Sequence, residues 1–111
     1  MKKLLLYVIF SMAMVSAAAQ AQTTVYFVLV PDMSQLSWQM DAGGTVWFRN
    51  LNTFDSSVLG CCYNFQLSTT DPQGKSLWSA ILAKIETAQP LYLGLSNGNT
   101  SPGTISYIGN W

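Results

Sequence analysis

Histidine is absent from the 111 residues, charged side chains make up only 9%, and the two cysteines are neighbours in sequence. Without imidazole the chain lacks the usual general base near neutral pH and the commonest zinc ligand. A zinc enzyme and a hydrolase of the Ser-His-Asp or Cys-His kind are therefore excluded, and neither a metal nor a cofactor is expected. Beyond Lys2 and Lys3 the basic side chains are Arg49, Lys75 and Lys84. That is too few for a nucleic-acid footprint, which needs several cations along the phosphates. The acids are Asp32, Asp41, Asp55, Asp71 and Glu86. The three aspartates at positions 32, 41 and 71 fall at turn signals, where Asp closes the backbone. No spacing selects two carboxylates that would face one glycosidic bond, so catalysis is not expected.

Long apolar runs are confined to the start. Lys2 and Lys3 precede an apolar stretch from Leu4 to Val15, and Ala19-Gln20-Ala21 fits a small-x-small cleavage site. Residues 1–21 thus read as a cleaved signal peptide, with a cut two residues earlier as the alternative. The apolar run is short for a membrane span, and no second one follows. The expected location is the periplasm or the outside of a bacterial cell. The exported part, 22–111, is long enough for one domain. It carries three basic against five acidic residues, a net −2.

Export permits disulfides. Cys61 and Cys62 cannot staple distant segments, because a bond between neighbours closes almost no loop. Three readings stay open: a vicinal disulfide, a bond to another chain, or one thiol buried as a small hydrophobe beside a half-exposed one.

The rest of the chain is rich in strand signals. Thr24–Val30 is β-branched and aromatic and stops at Pro31-Asp32. Gln35–Met40 alternates, with Leu36, Trp38 and Met40 on one face. Asp41-Ala42-Gly43-Gly44 predicts a hairpin turn into a strand over Thr45–Leu51. Polar, Ser-rich Asn52–Gly60 reads as a loop. Cys61–Ser68 alternates again, which would turn Cys61, Tyr63, Phe65 and Leu67 inward and Cys62 outward. The period then changes. Thr70-Asp71-Pro72 opens a helix, with Thr70 or Asp71 as cap and proline in the first turn. Leu77, Trp78, Ile81, Leu82 and Ile85 form its apolar face, and Thr87–Pro90 ends it. Leu91–Leu95 and Ile105–Trp111 are the last strands, around a loop over Ser96–Gly103. In the last strand Ile105, Tyr107, Gly109 and Trp111 share a face if it is regular, and Trp111 is expected to close a soluble barrel. Three meander strands, one helix and two further strands is the element order of a small OB-type antiparallel β-barrel, an α+β, mostly β domain. The additional first strand can pair with an edge.

Four tryptophans remain in the exported part. Trp78 belongs to the helix core. Trp38 and Trp47 flank the Gly-Gly turn, Asn50 lies near the end of the strand that carries Trp47, and Asn52, Asn97 and Asn99 lie in loops. Sugar rings stack their C–H faces on aromatic rings while neighbouring amides hold the hydroxyls. Trp38, Trp47, Asn97 and Asn99 are therefore the candidate ligand-binding residues, against the alternative that the rings only fill a small core.

The run Gly74-Lys75-Ser76-Leu77-Trp78-Ser79-Ala80-Ile81-Leu82-Ala83-Lys84, followed by Gln89-Pro90-Leu91-Tyr92-Leu93-Gly94-Leu95, resembles small exported bacterial proteins related to the subtilase cytotoxin B subunit. The likeness covers roughly 45–111. It implies an OB-type barrel, five-membered rings, binding of sialylated glycans and a catalytic A subunit as partner. The chain departs from that pattern in its cysteines: Cys61 matches the first of a sequence-distant pair, but no later cysteine follows Cys62. The glycan-binding serine of the toxin subunit matches no single residue here. The expectation is an exported, non-catalytic binding module that takes a glycan in the manner of a toxin B subunit and forms a homo-oligomer. The alternative is a monomeric periplasmic protein-interaction domain.

Overall fold

A computed structural model of the chain describes residues 26–96 and 101–111. The leader, residues Thr24 and Val25 of the first expected strand, and the candidates Asn97 and Asn99 lie outside the described residues. Six strands form one sheet: β1 (Phe27–Val30), β2 (Trp38–Met40), β3 (Thr45–Phe48), β4 (Phe65–Ser68), β5 (Leu91–Leu95) and β6 (Gly103–Gly109). Two α-helical segments accompany it, a single turn α1 (Leu51–Phe54) and the main helix α2 (Pro72–Glu86). The strand order is β1-β5-β6-β4-β3-β2, all antiparallel except β4 with β6. The sheet is not closed, since β1 and β2 end it on either side. The first strand does pair with an edge, that of β5.

Alternation along each strand separates two faces. Val28 and Val30, Val46 and Phe48, Phe65 and Leu67, and Leu91, Leu93 and Leu95 all turn inward and are buried. Helix α2 lays Trp78 and Ile81 on this face, with Leu77, Leu82 and Ile85 around them. Burying a side chain such as Ile81 contributes about 1.5–3 kcal/mol.

The local chemistry explains the elements. Asp71 caps α2 by accepting from the Gly74 N–H at 2.6 Å, and Pro72 occupies the first turn, where its missing N–H costs nothing. Gly74 is buried there, with its Cα against the Ser68 carbonyl of β4. Thr87 ends the helix, its N–H reaching back to Ala83 and Ile85. In the β2–β3 hairpin Asp41 accepts from the N–H groups of Gly43 (2.9 Å) and Thr45 (3.0 Å). Gly44 takes a φ of +83°, a region open to glycine at little cost, and its carbonyl accepts from the Thr69 hydroxyl at 2.7 Å.

Three expectations change. The strand drawn from Gln35 begins only at Trp38, because Asp32 accepts from the Ser34 N–H and hydroxyl and winds Met33–Gln35 into a 3-10 turn. The strand expected over Thr45–Leu51 stops at Phe48. Leu51, read as the end of that strand, instead opens α1 and is buried, and α1 runs on into the segment read as a loop. The strand expected from Cys61 begins only at Phe65. Cys61 is exposed and Cys62 half-buried, so the inward placement of Cys61 does not hold. The backbone bends through residues 61–64, where Asn64 donates to the Gly60 carbonyl at 2.7 Å. Strand alternation does not apply to such a segment.

Candidate functional site

Strand β3 decides where the aromatic candidates go. Trp38 pairs with Phe48 across the β2–β3 hairpin and therefore lies on the inner face. Its ring packs edge to face on Trp78 at 4.9 Å, yet it stands at the sheet margin and stays 40% exposed. Trp47 is one residue before Phe48 and points to the outer face. The two tryptophans flanking the turn are thus on opposite sides of the sheet. Asn50 is engaged elsewhere: its side chain accepts from the Ser37 N–H (2.8 Å) and donates to the Gln35 carbonyl (3.0 Å), tying the approach of β2 to the exit of β3. Asn52 is exposed on α1.

Around Trp47 the structure gathers a set of polar and aromatic groups. Gln39 and Gln66 are its cross-strand partners on β2 and β4. Tyr63, released outward by the bent segment, packs edge to face with Trp47 at 5.7 Å and is 52% exposed. Its hydroxyl donates to Gln39 Oε1 at 3.3 Å. The Arg49 guanidinium lies 5.5 Å from the Tyr63 ring centre. Arg49 meets no carboxylate among the described residues, and its Nε is enclosed without a hydrogen-bond partner. The Trp47 indole N–H donates to Asp41 Oδ2 at 3.4 Å. The Thr45 N–H, ahead of the Trp47 indole and the N–H groups of Gly43 and Gly44, holds the Asp41 carboxyl below the usual carboxylate range. Cys61 and Cys62, whose adjacent sulfurs are in contact, immediately precede Tyr63. The arrangement presents aromatic faces, amides, one anion and one cation on a strand-built surface, with Trp47 tied to Asp41 and Tyr63 to Gln39.

Sequence reasoning singled out Trp47 but missed Tyr63, Gln39, Gln66 and Arg49. The two glutamines were legible, since both occupy outward positions of alternating strands. Tyr63 was not, because the alternation counted from Cys61 places it inside.

A second aromatic surface lies on the outer face of β1, β5 and β6. A bulge between β5 and β6 sets Leu95 opposite Ile105 but Gly94 opposite Tyr107, leaving Ser106 as the extra residue. The bulge moves Tyr107 off the face of Ile105. Trp111 is exposed and stacks on Tyr92 at 4.3 Å with ring planes 13° apart, so it covers the outer face rather than closing a barrel. Tyr107 lies over Gly94 and Trp111 over Gly109, where a Cβ on either glycine would meet the ring. On the other side of β6, an open groove of about 500 Å³ is lined by Gln73, Ser76, Leu77 and Ala80 of α2 with Ser106 and Ile108.

The remaining aspartates serve the backbone: Asp32 and Asp71 as caps, and Asp55 by accepting from Ser57 N–H at 2.9 Å. None of the described helices is long and apolar enough to cross a membrane. No family model, curated protein or solved structure matches the chain.

Proposed function

We propose that this chain is an exported, non-catalytic module that binds a glycan on the outer face of β2–β4, on an OB-type barrel left partly open. The leader Lys2–Ala21 supports export to the periplasm or beyond. The order of meander, helix and two strands supports the barrel, with β1 as an added edge strand. The observation that carries the glycan reading is the outward Trp47–Tyr63 pair rimmed by Gln39, Gln66, Asp41 and Arg49. A pyranose ring places its C–H face on an aromatic ring, while amides and charged groups exchange hydrogen bonds with its hydroxyls. Because Tyr63 and Trp47 are already tied to Gln39 and Asp41, little side-chain freedom is lost on binding.

The test is a glycan array probed with the protein purified from the periplasm, followed by calorimetry on the best ligand. Trp47→Ala and Tyr63→Ala should each weaken binding at least about tenfold, the effect of losing one buried aromatic anchor. An array without binders, or binding untouched by both substitutions, refutes the reading.

The alternative, a protein-interaction domain, draws on a different observation. The outer face of β1, β5 and β6 is an exposed apolar patch at a free sheet edge.

A further inference from the structure

We infer that the outer face of β1, β5 and β6 is a self-association surface, on which a second copy of this chain packs face to face about a two-fold axis. The inference takes its surface from the protein-interaction reading and is independent of glycan binding at Trp47. Four of the large hydrophobic side chains left in solvent gather here: Phe27, Leu29, Tyr107 and Trp111, each between 39% and 61% exposed. Register places them together, since Phe27 lies opposite Gly94, and Gly94 opposite Tyr107, while Leu29 lies opposite Tyr92, and Tyr92 opposite Gly109. Trp111 connects the group, stacked on Tyr92 and edge to face with Phe27 at 5.8 Å.

Two features make the face flat. The bulge at Ser106 turns Tyr107 outward, and the bare Cα atoms of Gly94 and Gly109 let the rings of Tyr107 and Trp111 lie down on the sheet. The planes of those two rings differ by only 27°. The rings are held before any partner arrives, so association freezes few side chains.

Charge and area identify the occupant. The outward positions of β1, β5 and β6 from Phe27 to Trp111 carry no Lys, Arg, Asp or Glu. A foreign protein is usually selected by complementary charge, and this face offers none. An identical face is matched to it in polarity by symmetry alone. Edge strand β1 also lacks the Lys or Pro within Phe27–Val30 that monomeric proteins place on exposed edges. With about 150–250 Å² per aromatic side chain, the four exposures amount to about 400 Å² per copy. Two faces then bury about 800 Å², the size of a weak, transient interface. The assembly is thus a reversible dimer centred on β1, β5 and β6, two strands away from Trp47 on β3. Two linked glycan sites would gain avidity over one.

Sedimentation velocity over a concentration series of the periplasmically purified protein tests this. A monomer–dimer equilibrium is expected. Trp111→Ala should raise the dimer dissociation constant at least about tenfold. Leu29→Lys, which sets like charges across the two-fold interface, should leave only monomer. Both side chains point away from the core, so far-UV circular dichroism should stay close to wild type. A monomer at every concentration overturns the inference. So does an assembly of any other size, or a dimer indifferent to both substitutions. The glycan array is read separately, so failure here leaves the Trp47 result standing.

Discussion

Replacing Gly74 by alanine sets two physical effects against each other. In an isolated helix the change is favourable by about 1 kcal/mol, because glycine loses more backbone freedom than alanine. In this fold Gly74 lies in the first turn of α2 at its closest approach to β4. A Cβ there would collide with the Ser68 carbonyl oxygen and come within 2.9 Å of its carbon. Backbone on both sides must move, and forcing a methyl into a filled site costs about 1–3 kcal/mol or more. The same movement stretches the 2.6 Å bond from Gly74 N–H to the Asp71 cap, a contact of about 1 kcal/mol. The cost exceeds the gain, leaving Gly74→Ala destabilised by about 2 kcal/mol. For a domain of this size that lowers the melting temperature by about 8–16 °C. Urea unfolding followed by Trp fluorescence gives the difference directly. Gly43→Ala is the comparison, because its added Cβ meets only the Asp41 carboxylate, at 3.4 Å, and stability should stay within about 0.5 kcal/mol. A Gly74→Ala protein as stable as wild type, or more so, would refute the packing argument and leave helix propensity in control.

Removing the cap itself, by Asp71→Ala, should cost about 1 kcal/mol in the same assay, with the helix frayed at Pro72 rather than lost. Asp41 gives a pH dependence. Its folded carboxyl is held below 3.8, so its stabilising contribution is complete above that value and is lost as pH falls through the lower folded value. The stability difference between wild type and Asp41→Asn should therefore be constant from pH 5 to 7 and shrink below about pH 4. Trp47 fluorescence should change over the same acid range as its indole loses the carboxylate partner. A difference that persists unchanged to pH 2 would show that those hydrogen bonds do not hold the proton off.

Sequence was sufficient wherever the determinants are close along the chain. The helix start at Asp71-Pro72, its end near Thr87 and the Gly-Gly hairpin all depend on side chains bonding backbone a few residues away, and strand β5 on its run of apolar and aromatic residues. The burial of Trp78 follows from helical period, and the pairing of the first strand with an edge from the element order. Trp47 was legible as a candidate because alternation leaves every second residue of a hairpin strand outside. Decisions that depend on non-local contacts were not legible. Period alone cannot show that an Asp32 turn shortens β2, or that a bend at residues 61–64 reverses Tyr63. One extra residue at Ser106 inverts every later position of β6, because a strand has a period of two. That slip took Tyr107 and Trp111 off the face expected to be shared with Ile105 and set them in an exposed aromatic surface. It also required Gly94 and Gly109, on two different strands, to lie beneath the rings. The local code of caps, turns and periods was written in the sequence. Which side of the sheet each ring occupies was decided only when the strands were brought into register.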